Sequence, residues 1–351
     1  MKTGLQRAAV GCVMVLVTML LPLAAFAQNF KVTFVAKGLE YPWSMSFAPD
    51  GRLYFTERGG KLTRLDPKSG AVTPIAGLPK PRAQGEAGTL GMALDPGFAE
   101  NGLLYICYST RDANANPSNR LSRFKLDGTK LTDETVLFDN MPGASYHNGC
   151  RVIAAPDGQH LFFSMGDAGK AGGAQRLDYR GGKIFRLNLD GSVPADNPFK
   201  GSPVWSFGHR NPQGLRFRPG TDQLWSTEHG PDTQDELNLI VKGGNYGWPT
   251  CRGTDACSDI ENYHAAKAEF DHDDTVATSD LIFTGGDTIL FVTLKTGRLY
   301  RITLDGDTVA KSEILIDNQY GRLRDIAQGP DGAIYIATDN GEDSILRLSL
   351  Q

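Results

Sequence analysis

No segment of this 351-residue sequence carries a sustained helical period, and no low-complexity linker or shift in composition divides it. That excludes a helical bundle or an alternating βαβ sheet and leaves one domain of many short strands. Charge of either sign is also weak. The formal net charge is −4, and −6 once Lys2 and Arg7 are removed, which argues against nucleic acid or an anionic membrane as the main partner. Long apolar runs are missing except from Ala8 to Leu23, a stretch short for a membrane span and broken at Pro22. Basic Lys2 and Arg7 precede that run and Ala25-Phe26-Ala27 follows it, the pattern of a cleaved secretory signal over residues 1–27. The expected mature protein is residues 28–351, periplasmic or secreted.

Cysteine is scarce, with five in the chain, and Cys12 lies inside the apolar run. Of the other four, Cys251 and Cys257 flank a short polar loop and are expected to pair after export. No second Cys or His pair has zinc spacing. Cys107, in an apolar strand, reads as a buried free thiol, and Cys150 as a small core residue.

Glycine, in contrast, is abundant at 41 residues, as tight turns between short strands require. A unit recurs: an apolar residue, Pro, an Asp-Gly turn, then an aromatic and aliphatic strand. It appears at Phe47–Glu57, Leu94–Ile106, Ala155–Phe163, Phe217–Glu228 and Gly329–Ala337, with a degenerate copy at Phe283–Val292. Six all-β units of roughly 45 to 65 residues predict a six-bladed β-propeller. Phe30–Val35 precedes the first copy and is expected to complete the last blade.

Propellers bind small molecules on loops over the channel mouth. Gly143–Arg151 places His147 in a Gly-flanked turn, and Gly166–Gly169 places Asp167 in the next one. A histidine and a carboxylate from neighbouring turns can act as a base and its orienting partner, although a lone loop histidine is more often a solvated one. Arg322 and Arg324 share one side of a strand, which is costly unless an anion lies between them. With Lys295 and Arg210 they suggest a cationic cluster suited to a polycarboxylate. Glu228–Asp232 and Asp235–Asn238 offer carboxylates and carbonyls to a hard cation such as calcium, or form a plain acidic loop.

Gly208-His209-Arg210-Asn211-Pro212-Gln213-Gly214, Glu228-His229-Gly230-Pro231, Asp235-Glu236-Leu237-Asn238, Asn245-Tyr246-Gly247-Trp248-Pro249, Leu294-Lys295 and Gly321-Arg322-Leu323-Arg324-Asp325 occur in this order. Together they resemble the soluble quinoprotein glucose and aldose sugar dehydrogenases (glucose/sorbosone dehydrogenases). The resemblance spans nearly all of the mature chain. It implies a six-bladed propeller using pyrroloquinoline quinone (PQQ) and Ca2+. It also implies that His147 is the general base, that Asp167 orients it, and that Arg210 bonds the reactive quinone oxygen with Asn211 beside it. Lys295, Arg322 and Arg324 would hold the cofactor carboxylates, and the Gly230 and Pro231 carbonyls the calcium. Glu236 and the Tyr246 carbonyl resemble a second, structural calcium site. The reaction implied is oxidation of an aldose to a lactone, with an electron acceptor beyond the cofactor.

Two departures stand out. Glu86, in Gly85–Gly91, replaces a glutamine that contacts cofactor or substrate in the family. Ala277–Gly285 departs from the family's fifth-blade segment, and the short loop after it is expected to trim a substrate-facing wall. A calcium-dependent lactonase-like hydrolase and a non-catalytic binding propeller remain the alternatives.

Overall fold

The computed structural model describes Met1, residues 30–270 and residues 275–350, so the expected leader lies outside the described residues. Among the described residues, twenty-four strands form six four-stranded antiparallel sheets, the six-bladed propeller that the repeat predicts. Each sheet is a meander of consecutive strands except the last, in which Phe30–Leu39 pairs with Asp343–Leu350. The ring thus closes by joining the start of the propeller to its end.

The recurrent Asp-Gly turn sits between the innermost strand of a blade and the second. Gly51 has φ +84°, the left-handed region that favours glycine, and its N–H donates to the Ala48 carbonyl at 2.9 Å. Gly158 and Gly332 repeat this bond to Ala155 and Gly329. The strands alternate so that each blade presents apolar side chains to both neighbours. The buried residues accordingly form six clusters, one at each inter-blade junction; Phe163, Phe185 and Tyr105, for example, fill the space between blades two and three. No blade buries its faces alone, so the ring is one cooperative body.

Four cysteines form two disulfides. Cys251–Cys257 pairs as expected. Cys107 is not a free thiol and Cys150 is not merely a packing residue, because the two are bonded to each other. Their separation of 43 residues hides the pairing in the sequence. It arises because the second strand of blade two, Leu103–Arg111, lies against the loop entering blade three. Both bonds suit an oxidising compartment. Among the described residues no helix is long and apolar enough to cross a membrane.

Two kinds of loop leave the same end of the propeller: those from the second strand to the third, and those from one blade to the next. His147, Arg210, Glu86 and Arg322 lie on inter-blade connections, whereas Asp167, Gly230, Pro231 and Lys295 lie between second and third strands. Antiparallel pairing therefore gathers residues scattered from 86 to 324 on one face. The Asp-Gly turns occupy the other face. So does the short loop 284–287 between Thr278–Phe283 and Thr288–Thr293, which corrects the expectation that it trims a substrate-facing wall.

Below that face, Arg151 reaches across the channel. Its Nη1 donates to Asp325 at 2.6 Å and to Ser44 at 3.1 Å, its Nε to the Gln213 carbonyl at 2.9 Å, and Asp280 lies 3.4 Å away. One side chain from blade three thus touches blades one, four, five and six. Burial, reinforced by the adjacent Asp280 and opposed by Arg151, pushes the Asp325 carboxyl up to about 8. The folded state then holds this proton more tightly than the unfolded chain does. The stability that this adds is fully present below about pH 4 and is lost as pH rises towards 8. We expect the melting temperature of the wild type to fall relative to that of Asp325→Asn between pH 5 and 8. A gap between the two that stays constant across this range, read by scanning calorimetry, would contradict the assignment.

Candidate active site

His147 and Asp167 meet. His147 Nδ1 lies 2.7 Å from Asp167 Oδ1, and the histidine side chain is 14% exposed against 2% for the aspartate. Asp167 also accepts the Gly169 N–H at 2.7 Å and the Trp248 indole N–H at 2.9 Å. Burial alone would raise this carboxyl, but those bonds outweigh it and hold it below the usual carboxylate range. An ionised Asp167 fixes the His147 tautomer with hydrogen on Nδ1, which leaves Nε2 as a basic lone pair.

The turn that presents His147 is unusual. His147 has φ +56° and Cys150 φ +70°, conformations that L residues adopt at a cost of about 1 kcal/mol or more. Close packing holds the turn in place. A Cβ on Gly166 would stand 2.2 Å from the His147 carbonyl oxygen, so only glycine permits this approach. Asn211 Oδ1 accepts the Gly149 N–H at 3.1 Å. Asn148 closes the turn on Ala144 in both directions, at 3.1 and 3.2 Å.

Arg210 and Asn211 enter from the next inter-blade loop. Gly208, at φ +75°, makes the bend, and His209 turns inward to bond Ser206 and Glu228, both at 2.8 Å. This Ser-His-Glu chain resembles hydrolase machinery but is buried; its function is to hold the loop, because Glu228 also accepts the Arg210 backbone N–H. The Arg210 guanidinium lies over the Trp248 ring at 5.4 Å and donates to the His229 carbonyl at 3.3 Å and to that of Pro231 at 3.5 Å. Burial draws Arg210 below the ordinary arginine range, against the pull of Asp167 and Glu228.

The carboxylates of this region are largely committed to the scaffold. Asp235 accepts the N–H groups of Gly230 at 2.8 Å and Ala277 at 2.6 Å. Glu236 accepts Gly253 N–H at 2.6 Å and Asn238 at 2.9 Å, and burial beside Glu228 pushes it up to about 8. Arg210, Gly230, Pro231, Glu236, Tyr246 and Trp248 line one small cavity. Among the described residues no group of three or more His, Cys, Asp or Glu side chains is arranged around a metal position. Hard carbonyl oxygens on Gly230 and Pro231 are what this wall offers a cation.

Arg322 and Arg324 do share a side, as the alternation predicts, and an anion does lie between them. It is Asp339, bonded by Arg324 Nε at 2.9 Å and 3.7 Å from Arg322. Sequence reading missed it because its partners lie on the adjacent strand. Burial lowers Arg322 from its ordinary range, against the pull of Asp339 and with a smaller push from Arg324. Lys295 is exposed on the same face. Trp248 and Lys183 were also missed. Lys183 is buried and donates to the Gly181 and Ala174 carbonyls at 2.8 Å each, pinning the loop that carries Asp167.

Three buried polar atoms near Arg210 lack a hydrogen-bond partner: Arg210 Nε, Asn211 Nδ2 and His229 Nε2. Orphaned donors beside a cation cluster and a basic histidine fit an anionic, oxygen-rich ligand. The PQQ group that the resemblance implies is such a ligand.

Fold and site together define a propeller enzyme whose chemistry lies on one face. The sequence profile of the glucose/sorbosone dehydrogenases matches residues 39–347, and the chain belongs to that family. It is 32% identical to the aldose sugar dehydrogenase YliI of Escherichia coli over 93% of this chain and 94% of that protein. It is 35% identical to quinoprotein glucose dehydrogenase B of Acinetobacter calcoaceticus over 69% of this chain and 57% of that one. The PQQ-bound aldose sugar dehydrogenase of Streptomyces coelicolor superposes with a TM-score of 0.83 at 33% identity, covering 92% and 99% of the two chains.

Proposed function

We propose that the protein is an exported aldose sugar dehydrogenase, a single propeller domain over residues 28–351, that oxidises the anomeric carbon of a sugar to a lactone. The observation that carries this reading is the His147–Asp167 pair beside the unpartnered Arg210 Nε and Asn211 Nδ2. Arg210, Asn211, Lys295, Arg322, Arg324 and Glu86 would hold PQQ. The Gly230 and Pro231 carbonyls would hold calcium, with Glu236 and the Tyr246 carbonyl at a second calcium site. When bound, PQQ supplies the two-electron acceptor for the hydride leaving the anomeric carbon, and calcium supplies Lewis-acid polarisation.

The side chains supply proton transfer and orientation. His147 Nε2 takes the proton of the anomeric hydroxyl, and Asp167 stabilises the imidazolium that forms. Arg210, anchored through Glu228 and stacked on Trp248, offers a fixed positive charge where negative charge develops. A separate electron acceptor then restores the enzyme. We expect reduction of a dye by aldoses only after both PQQ and Ca2+ are added to the apo-protein. Turnover without PQQ, or none across a broad aldose panel, would sink the reading.

A further inference from the structure

Glu86 stands where the resemblance implies a glutamine, and its position gives it a second task. The turn Gln84–Ala87 closes on itself, with Ala87 N–H to Gln84 O at 3.1 Å and Gln84 N–H to Ala87 O at 3.3 Å. Gly85 at φ +64° makes the turn possible, and a Cβ there would stand 2.3 Å from the Ser145 carbonyl oxygen. Glu86 is thereby pressed onto the histidine loop and grips it twice. Its backbone N–H donates to Ser145 O at 2.8 Å, and its Oε2 accepts the His147 backbone N–H at 2.9 Å. Side chain and main chain of one residue thus satisfy the two backbone groups that flank Tyr146, in the manner of a strand pair.

We infer that Glu86 is a positioning residue for the base, and this rests on reading His147 as that base. The left-handed His147 backbone is a costly conformation that needs external restraint. On one flank stand Asp167, Asn211 and the Cys107–Cys150 bond. Glu86, delivered from the connection between blades one and two, supplies the restraint on the other. The requirement is an acceptor at the right reach, not a negative charge. Glutamine keeps an oxygen at the same distance, whereas aspartate keeps the charge but is one methylene shorter. Either residue therefore supplies the restraint.

The test is a comparison of Glu86→Gln, Glu86→Asp and Glu86→Ala at saturating PQQ, Ca2+ and sugar, together with the imidazole NMR signals of the apo-protein. We expect Glu86→Asp and Glu86→Ala to lower kcat by roughly 10- to 100-fold, as a misplaced catalytic group does. Glu86→Gln should recover most of that loss. In the apo-protein, the His147 Nδ1–H signal, bonded to Asp167, should broaden or vanish in the aspartate and alanine variants and persist in the glutamine one. An active Glu86→Asp with an inactive Glu86→Gln would show that charge matters and overturn the inference. So would a loss confined to PQQ affinity, or unaltered signals in all three. If Glu86→Ala fails to fold, the aspartate and glutamine pair still decides. Failure of the wild type to bind PQQ would sink the functional reading instead, and the apo-protein signals would still test the restraint.

Discussion

His147→Ala is expected to lower kcat by about 10³-fold, equivalent to about 4 kcal/mol of barrier, while leaving PQQ binding intact. The argument is geometric. With Nδ1 committed to Asp167 at 2.7 Å, the Nε2 lone pair is the basic atom this loop presents at the site. Asp167→Asn should cost about as much, about 10³-fold or more, because the amide neither fixes the tautomer with hydrogen on Nδ1 nor stabilises the charge on the ring. Stopped-flow reduction by an aldose, at saturating cofactor and calcium, checks both. An alanine variant within tenfold of wild type would remove His147 from the chemistry. A loss that appears only as a weaker PQQ Kd would make it a binding residue.

Arg151→Ala is expected to produce the largest loss of stability of any single substitution on the channel wall, about 3–5 kcal/mol. Arg151 is buried, and it meets Asp325, Asp280, Ser44 and Gln213 from four other blades. Its guanidinium also lies over Trp43 at 4.5 Å. Removing it leaves the buried Asp280 with Arg216, 2.9 Å away, as the nearest compensation, and strands Asp325 wherever it ionises. In a chain of this size the melting temperature should fall by roughly 4–7 °C. Because Asp325 follows Arg324 directly, the variant should also weaken PQQ binding. Asp325→Asn should be much milder, since an amide oxygen can still accept from Arg151 and Asp280 remains beside the guanidinium. Calorimetry on both variants separates the two cases, and an Arg151→Ala protein melting within 2 °C of wild type would contradict the hub role.

The fold was legible because each blade repeats the same local chemistry, an Asp-Gly turn ahead of a β-rich strand. Six repeats imply six inter-blade cores, and the ring closure by Phe30–Leu39 follows from the leftover strand. His147, Asp167 and Arg210 were legible because each stands at a glycine-marked turn. Their partners were not. Asp339 meets Arg324 from a neighbouring strand, Trp248 reaches Asp167 across 81 residues, and Cys107 finds Cys150 across 43. Such pairings depend on which loops leave which end of a blade, and composition carries no trace of that. The acidic motif around Asp235 takes on a structural task in the fold. The Asp235 carboxylate accepts the Gly230 and Ala277 backbone N–H groups.

The central claim is that one propeller face holds a quinone against His147. Anaerobic titration of the apo-protein with PQQ in the presence of Ca2+, followed by a single addition of aldose, tests it most directly. We expect saturation at one PQQ per chain, then conversion of the bound quinone's absorbance to that of its reduced form on adding sugar, with the second step lost in His147→Ala. Absence of saturable binding, or bound quinone that no aldose reduces in the wild type, would contradict it.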